Sequence, residues 1–288
     1  MEGMLYPMLV MGGLGVVFGG LLAFASEKFK VEVDPRQSEI RAKLPGANCG
    51  GCGFPGCDGY ADACVNAGAK PNLCAAAGPE VAAEIAAILG VAAEEAEPMV
   101  AYVKCQGTTQ KTVKDCVYMG VHDCREAAVV PGKGPSACTF GCMGFGTCVS
   151  VCAFGAVKIA DGVAKVDPEK CVACGACVNE CPRSVITLVP RKSKVQVACS
   201  NPLKGPLVKQ VCSVGCIGCG ICAKVCPVKA ATLNGALAQI DPATCINCGL
   251  CATKCPVKAI TDSRPPRVLP PMPPVNAAEE KSSQPVSA

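Results

Sequence analysis

The chain has 288 residues, enough for two or more domains, and its 27 Lys and Arg against 23 Asp and Glu leave a formal charge of +4. That charge is too small to indicate nucleic-acid binding, and the single histidine, His122, excludes a multi-histidine metal site. Large apolar side chains are scarce, with 7 Phe, 4 Tyr and no Trp, so a conventional core cannot hold the fold alone. The 26 cysteines are the obvious substitute, and their spacing decides between disulfides, zinc and iron–sulfur clusters.

The N-terminal segment is apolar. Residues 4–25 carry no charge and would span about 33 Å as a helix, close to the thickness of a bilayer's hydrocarbon core. A cleaved signal peptide is the alternative, because the sequence A-F-A at 23–25 resembles a cleavage site. Glu2 is the only charge before the run, however, whereas a signal peptide has basic residues there. We therefore expect residues 1–26 to be an uncleaved anchor that contacts membrane lipid through residues 4–25.

A polar linker is expected over residues 27–48. Lys28 and Lys30 follow the apolar run, and the positive-inside rule then places the rest of the chain in the cytoplasm. The expected location is thus the cell (inner) membrane, with a single-pass N-terminal anchor and the cysteine-rich domains on its cytoplasmic side.

A four-cysteine loop–helix domain is predicted for residues 49–100. The sequence N-C-G-G-C-G-F-P-G-C at 48–57 puts three cysteines on a glycine-rich loop, where glycine permits unusual backbone angles, and a short helix over 59–69 brings a fourth. This arrangement suits a [4Fe–4S] cluster, with zinc as the alternative. Its predicted ligands are Cys49, Cys52, Cys57 and Cys74. Cys64 fits no such pattern and is expected to be buried as a small apolar side chain.

The second half of the chain contains an internal repeat. The segments C-V-A-C-G-A-C-V-N-E-C-P at 171–182 and C-I-N-C-G-L-C-A-T-K-C-P at 245–256 match the C-x2-C-x2-C-x3-C-P pattern and lie 74 residues apart (245 − 171). The same offset relates eight of the nine cysteines in the second copy to a cysteine in the first, and Cys219 is the exception because its counterpart is Phe145. The upstream pairs are Cys138 with Cys212, Cys142 with Cys216, Cys148 with Cys222, and Cys152 with Cys226.

Each copy also carries a predicted hairpin between its cysteine groups, with D-G and N-G turns in the sequences at 157–166 and 231–240. This order of elements resembles the bacterial two-cluster ferredoxin, a small α+β fold of βαβ units with pseudo-twofold symmetry, in which the cysteine before proline ligates the other cluster. The resemblance implies four ligand sets: Cys216, Cys219, Cys222 and Cys255; Cys245, Cys248, Cys251 and Cys226; Cys171, Cys174, Cys177 and Cys152; and Cys142, Cys148 and Cys181 with Cys138 in place of Phe145. If Cys138 does not reach, the last set would hold a [3Fe–4S] cluster.

Five sets use 20 cysteines and predict at least five [4Fe–4S] clusters. The cysteines left over are Cys64, Cys105, Cys116, Cys124, Cys199 and Cys212. A sixth cluster from Cys105, Cys116 and Cys124 with Cys199 or Cys212 is one interpretation of them, and free or buried thiols are the other.

The remaining boundaries follow from these motifs. The predicted parts are a cysteine-containing connecting segment at 101–134, a first ferredoxin-like unit at 135–190, a basic connector at 191–211, a second unit at 212–262 and a Pro-rich disordered tail at 263–288. Eight basic and no acidic residues lie between Cys181 and Ile240, which would steer an acidic redox partner or serve only solubility. The basic residues are Arg183, Arg191, Lys192, Lys194, Lys204, Lys209, Lys224 and Lys229.

The chemistry indicated is electron transfer. Clusters move one electron at a time, and the sequence has no P-loop, no nucleophile elbow and no G-x-G-x-x-G after a strand, so no catalytic residues are predicted on this chain. A chain with five or six clusters then carries electrons between partners. A self-contained polyferredoxin and a non-redox module held together by zinc or clusters are the alternatives.

Taken together, the anchor, the 48–57 loop and the ferredoxin units resemble the B subunit of the Rnf complex, the ion-translocating ferredoxin:NAD oxidoreductase. The resemblance covers residues 1 to about 262 and includes G-C-M-G-F-G-T-C at 141–148 and V-G-C-I-G-C-G-I-C at 214–222. It implies that the chain accepts electrons from a soluble acidic ferredoxin and passes them to membrane and NAD- or flavin-binding subunits, coupled to Na⁺ or H⁺ transport. The shorter form of this family has one ferredoxin unit, whereas this chain has two.

Overall fold

The computed structural model describes residues 2–29, 34–92 and 97–264. From position 265 onward, the predicted Pro-rich tail lies outside these residues. Helix α1 spans Glu2–Lys28. Within the described part of the chain it is the one helix that is long and apolar enough, over Val10–Lys28, to be a candidate membrane span.

The chain divides into two compact units, and the dividing lines pass through the repeats. The first unit comprises Met1–Ala101, Thr147–Val157 and Val166–Glu180. The second comprises Tyr102–Gly146, Lys158–Lys165 and Cys181–Ala288.

Three helices build the first unit's own core: α2 (Pro35–Lys43), α3 (Cys57–Asn66) and α4 (Gly78–Leu89). Ile40, Tyr60 and Ile85, one from each helix, are fully buried in one shared cluster. Helix α4 ends at Gly90, in the left-handed conformation with φ 69° that glycine adopts without strain.

Helix α2 lies inside the stretch that the sequence analysis treats as a linker. Its start is well defined, because Oδ1 of Asp34 accepts a hydrogen bond from the amide of Arg36 at 2.9 Å and Pro35 occupies the first turn. Only Ile40 and Leu44 turn inward from this region, so its composition is polar although it forms part of the core. The linker prediction is therefore wrong for residues 35–43.

Strand β1 (Met99–Val103), helix α5 (Cys124–Val129) and helix α6 (Thr147–Ser150) precede the first hairpin. Strands β2 (Val157–Ala160) and β3 (Val163–Val166) pair around the predicted D-G turn, and helix α7 (Ala176–Asn179) and strand β4 (Ile186–Pro190) follow. The amide of Lys104 donates to the carbonyl of Val185 at 2.7 Å, which joins the end of β1 to the start of β4 within the second unit.

The second copy has the same elements in the same order. They are β5 (Val195–Val197), α8 (Gly205–Val211), α9 (Ile221–Lys224), β6 (Ala231–Asn234), β7 (Leu237–Ile240), α10 (Leu250–Thr253) and β8 (Ile260–Asp262). Strands β6 and β7 form an antiparallel hairpin, and β5 pairs antiparallel with β8 in the register Val195–Asp262 to Val197–Ile260. Helices α6 and α7 and strands β2 and β3 recur as α9, α10, β6 and β7 at an offset of 74 residues.

The residues at 191–211 are not a simple connector, because they contain β5 and α8. Val195 and Val208 are fully buried there. Cysteines supply much of the second copy's core: Cys199, Cys216, Cys222 and Cys251 belong to the same buried cluster as Val195, Val197 and Ile260. The aliphatic part of this core is thin, as the composition predicts.

Candidate metal centres

The cysteines of the 48–57 loop and Cys74 surround one cavity in the first unit. The cavity occupies about 370 Å³, and its lining includes all four predicted ligands, Cys49, Cys52, Cys57 and Cys74. Cys57 is the first residue of α3, and its amide donates to Oδ1 of Asn48 at 2.8 Å, which fixes the loop against the helix. Gly56, with φ 97°, permits this close approach, because a Cβ there would stand 3.1 Å from Oδ1 of Asn48.

Cys64 lies in the same helix but outside this set. It is 3% exposed, and burial raises the pKa of its thiol. It packs with Tyr60 and Ile85 in the helical core, as expected for a small apolar side chain.

A second set of four thiols lies in the first unit. Burial raises the pKa of Cys177 to about 11, and Cys171, Cys174 and Cys152 lie near enough to add charge repulsion. The amide of Ala101 donates to the sulfur of Cys171 at 3.4 Å, and that of Ala156 donates to Cys152 at 3.3 Å. Amide donors of this kind stabilise thiolates and tune the potential of a bound cluster.

In the second unit, the two sets predicted for the second copy each surround a cavity. One cavity, of about 330 Å³, is lined by Cys216, Cys219, Cys222 and Cys255. The other, of about 300 Å³, is lined by Cys226, Cys245, Cys248 and Cys251. In both sets the cysteine before proline joins the triplet of the other motif, which is the crossed pattern that the ferredoxin resemblance implies.

Hydrogen bonds hold these two cysteine loops in place. The amide of Ala259 donates to the sulfur of Cys255 at 3.3 Å, and that of Asn247 donates to Cys245 at 3.4 Å. The Asn247 side chain also ties the loop to the segment around β5, because its Oδ1 accepts from the amide of Lys194 at 2.8 Å and its Nδ2 donates to the carbonyl of Lys192 at 3.0 Å. Cys219 is exposed, so this set reaches the protein surface.

The last set of the first copy has an unexpected neighbour. Burial raises the pKa of Cys142, and Cys124 and Cys181 lie close enough to add to the shift by charge repulsion. Cys148, the other predicted member, belongs to the first unit, and its ligation remains a prediction from the 74-residue offset. Phe145 stands where the second copy has a cysteine, and its ring stacks on His122 with a centroid distance of 5.2 Å.

Cys138 lies beside Cys142, a predicted member of its set, and also beside cysteines that belong to no predicted set. It lines a cavity of about 420 Å³ in the second unit together with Cys105, Cys142, Cys199 and Cys212. Of the other leftover cysteines, Cys116 is exposed. The 74-residue repeat does not predict the grouping of Cys105 and Cys199 with Cys138 and Cys212, because Cys105 and Cys199 lie 94 residues apart (199 − 105). A signal was available, since each cysteine comes two residues after the first strand of its copy.

The cysteine sets fit a polyatomic cluster better than a single metal ion. Four thiolates around one zinc at 2.3 Å would lie about 3.8 Å from each other. In the ranges that the structure describes, no three His, Cys, Asp or Glu side chains gather closely enough to hold one metal ion. The sets instead line cavities of 300–420 Å³.

Arg183 provides a further test of fit. Its Nη1 donates to the carbonyls of Cys138 at 2.9 Å and Gly141 at 2.8 Å, and its Nη2 donates to that of Lys133. Its Nε is buried without a hydrogen-bond partner. Burial lowers the pKa of this guanidinium, and the thiols of Cys138, Cys142, Cys124 and Cys105 oppose that shift. A half-buried cation with an unused donor beside four thiols suits an anionic cluster.

Comparison with known families agrees with this arrangement. A 4Fe-4S dicluster domain matches residues 215–259, a 4Fe-4S binding domain matches 164–187, and an Fe-S cluster family matches 44–76. The fold and its cysteine sets therefore define an iron–sulfur protein with several [4Fe–4S] clusters in ferredoxin-like domains.

Curated relatives identify the family. The chain is 46% identical over 242 residues to the B subunit of the Na⁺-translocating ferredoxin:NAD⁺ oxidoreductase complex of Acetobacterium woodii, covering 84% of this chain and 72% of the relative. It is 42% identical to the B subunit of the proton-translocating ferredoxin:NAD⁺ oxidoreductase complex of Clostridium ljungdahlii, covering 72% and 74%. It is also 42% identical to the B subunit of the ion-translocating oxidoreductase complex of Methanosarcina acetivorans, covering 81% and 88%. The chain belongs to the family of B subunits of the ion-translocating ferredoxin:NAD oxidoreductase, or Rnf, complex.

Proposed function

We propose that this chain is the electron-relay subunit of a membrane-bound, ion-translocating ferredoxin:NAD oxidoreductase. The observation that carries the proposal is that neighbouring cysteine sets lie side by side. In the first unit, Cys49 lies close enough to Cys174 to contribute to its raised pKa, after burial as the main cause. In the second unit, burial raises the pKa of Cys251 to about 11, and Cys222 lies close enough to contribute to that rise. Adjacent cysteine sets favour electron transfer from cluster to cluster over clusters that only stabilise the fold.

We assign at least five clusters to the ligand sets predicted from the sequence. Three sets lining cavities and the set around Cys177 support four of them. For the set with Cys142, Cys148 and Cys181, the nearness of Cys124 favours that residue over Cys138 as fourth ligand. Four thiolates at this set favour a [4Fe–4S] cluster over the three-iron alternative.

Each bound [4Fe–4S] cluster would accept and release one electron at a time. The chain's own groups determine how readily this happens. Amides that donate to Cys152, Cys171, Cys245 and Cys255 favour the thiolate form, and burial of Cys177, Cys222 and Cys251 keeps water away from the sulfurs. A pseudo-twofold arrangement of βαβ units within each copy, as in the two-cluster ferredoxin, would keep two cysteine sets close together.

An acidic ferredoxin is the proposed electron donor. Lys204, Lys209, Lys224 and Lys229 are exposed on the second copy, where no acidic residue occurs between Cys181 and Ile240. Exposed Cys219 gives this copy a set near solvent. Arg183 is the exception among the eight basic residues, because its guanidinium turns inward. A positive surface beside an accessible cluster raises the encounter rate with a negatively charged carrier.

Membrane attachment is proposed through α1. Its apolar length and the absence of burial over Val10–Lys28 support an anchor in lipid, with Lys28 at its cytoplasmic end. The other partners proposed are the membrane and NAD- or flavin-binding subunits, because the relatives' names describe complexes with these activities.

The test uses the full chain purified anaerobically in detergent. Addition of reduced ferredoxin should bleach its broad absorbance near 400 nm and produce EPR signals from reduced clusters, as dithionite does. A colourless protein loaded with zinc would exclude the relay. A brown protein that dithionite reduces but ferredoxin does not would exclude ferredoxin as its donor.

A further inference from the structure

The cavity lined by Cys105, Cys138, Cys199 and Cys212 lies between the two ferredoxin-like copies. Each copy contributes two of these cysteines at equivalent positions. Cys105 and Cys199 each follow the first strand of their copy by two residues, and Cys138 and Cys212 are related by the 74-residue offset. The two copies therefore place four cysteines around one cavity.

Equivalent amides donate to the sulfurs from both sides. The amide of Cys142 donates to Cys105 Sγ at 3.4 Å, and the amide of Cys216, its counterpart at the same offset, donates to Cys199 Sγ at 3.3 Å. The other two sulfurs accept from side chains, Cys138 from Nδ2 of Asn201 at 3.7 Å and Cys212 from the Thr112 hydroxyl at 4.0 Å. All four sulfurs therefore receive donors, which is the environment that thiolate ligands need.

Glycines border the sulfurs of this cavity. A Cβ at Gly141 would stand 3.4 Å from the sulfurs of both Cys105 and Cys138. A Cβ at Gly107 would meet the Thr112 hydroxyl and stand 3.5 Å from the sulfur of Cys212. Glycine at these two positions therefore leaves the space beside three of the four sulfurs free of side-chain atoms.

We propose that Cys105, Cys138, Cys199 and Cys212 ligate a further [4Fe–4S] cluster, which bridges the two copies. Cys142 belongs to a set of the first copy and Cys216 to a set of the second, and the amides of both contact this site. The bridging role rests on the proposed relay function, whereas the ligand assignment does not.

The guanidinium of Arg183 supports the assignment. Its Nη1 donates to the carbonyl of Cys138, and its buried Nε has no hydrogen-bond partner. Four free thiols would give this half-buried cation no counter-charge. A cluster with four thiolate ligands carries net negative charge and supplies one.

Iron and acid-labile sulfide, measured on the anaerobically purified full chain, test the ligand assignment. The wild type should contain about 24 iron atoms per chain, for six four-iron clusters, rather than about 20 for five. Cys105→Ser and Cys199→Ser, one change in each copy, should each lose about four iron and four sulfide. The matched control is Cys116→Ser, which removes an exposed cysteine outside every set and should leave both contents unchanged.

Iron and sulfide contents of both variants equal to those of the control would overturn the proposal, and so would one zinc per chain that disappears in either variant. If the variants do not fold, as judged by circular dichroism, the wild-type count decides between six clusters and five. If the protein contains about 24 iron atoms but ferredoxin cannot reduce it, the ligand assignment holds and the proposed relay function fails. Conversely, reduction by ferredoxin with about 20 iron atoms per chain supports the relay and removes the bridging cluster.

Discussion

The main chain of Gly51 lies directly against that of Cys174. A Cβ at Gly51 would stand 3.0 Å from both the Cα and the carbonyl carbon of Cys174, and nearer still to its oxygen. The two residues belong to different cysteine loops of the first unit, one around Cys49 and Cys52 and the other around Cys171 and Cys177. Glycine at position 51 therefore lets these loops touch, which shortens the distance between two clusters.

Gly51→Ala should push these two loops apart. The backbone of Cys174 cannot move as a flexible side chain would, so we expect a loss of about 1–3 kcal/mol in stability, as for other overpacked sites. The EPR signal of the Cys174 cluster should broaden or shift, and its reduction should slow. The matched control is Gly53→Ala, because Gly53 also has a positive φ, 88°, but a Cβ there meets no atom within 4 Å. Equal spectra and stabilities for the two variants would contradict the role of this contact.

Arg183 should raise the reduction potential of the clusters beside it. A nearby positive charge favours the reduced, more negative state, so Arg183→Gln should lower one or two midpoint potentials by about 60 mV, equivalent to about 1.4 kcal/mol for one electron. Arg183→Lys keeps the charge but loses the fork that binds the carbonyls of Cys138 and Gly141, so its potentials should stay nearer to wild type. EPR-monitored redox titration measures these shifts.

The control for this experiment is Lys158→Gln, which removes an exposed charge from the first hairpin and should leave all potentials unchanged. If the midpoint potentials of Arg183→Gln and Lys158→Gln agree within experimental error, the Arg183 guanidinium does not tune the clusters and only stabilises the fold.

Much of the candidate site could be predicted from the cysteine motifs together with the ferredoxin resemblance. The triplet spacing indicates which thiols share a loop, and the resemblance implies the crossed Cys-Pro pattern. Cys216, Cys219, Cys222 and Cys255 line one cavity, as that pattern implies. Helix α2 could not be predicted so readily, because Ile40 and Leu44 are too few to give an apolar period. The grouping of Cys105 with Cys138 depends on how the two copies pack, and the insertion that carries Cys116 and Cys124 hides the second offset.

Electrostatic steering by the second copy is testable by charge reversal. Lys224→Glu with Lys229→Glu should reduce the rate of reduction by an acidic ferredoxin several-fold at low ionic strength, because both side chains are exposed near the proposed docking face. The effect should shrink at high salt, where such interactions are screened. Lys158→Glu with Lys165→Glu makes the same change in net charge on the first copy and should have a smaller effect. Equal rates for the two double variants would remove the second copy as the docking face.

Cys219 is the predicted ligand of the second copy that has no counterpart in the first. Cys219→Ser replaces a thiolate by a weaker hydroxyl ligand at an exposed position, so its cluster should become labile and convert to a three-iron form or be lost. Iron content and the EPR spectrum of the reduced protein measure this. Phe145→Cys is the matching variant in the first copy, because it places a cysteine at the position equivalent to Cys219. An iron content and a spectrum of Cys219→Ser identical to wild type would remove Cys219 from the ligand set.

Removal of the clusters should unfold the two units unequally. In the second unit, Cys199, Cys216, Cys222 and Cys251 are part of the buried core, so stripping iron leaves mostly small residues such as Ala231, Ala238 and Ala259 around empty cavities. In the first unit, Ile40, Tyr60 and Ile85 pack three helices together, and Cys57 is the one predicted ligand among the buried residues of this cluster. Chelation under oxidising conditions should therefore abolish the strand contribution to the far-UV circular dichroism and retain part of the helical signal. A spectrum unchanged after complete loss of iron would show that the cysteine-rich core is stable on its own.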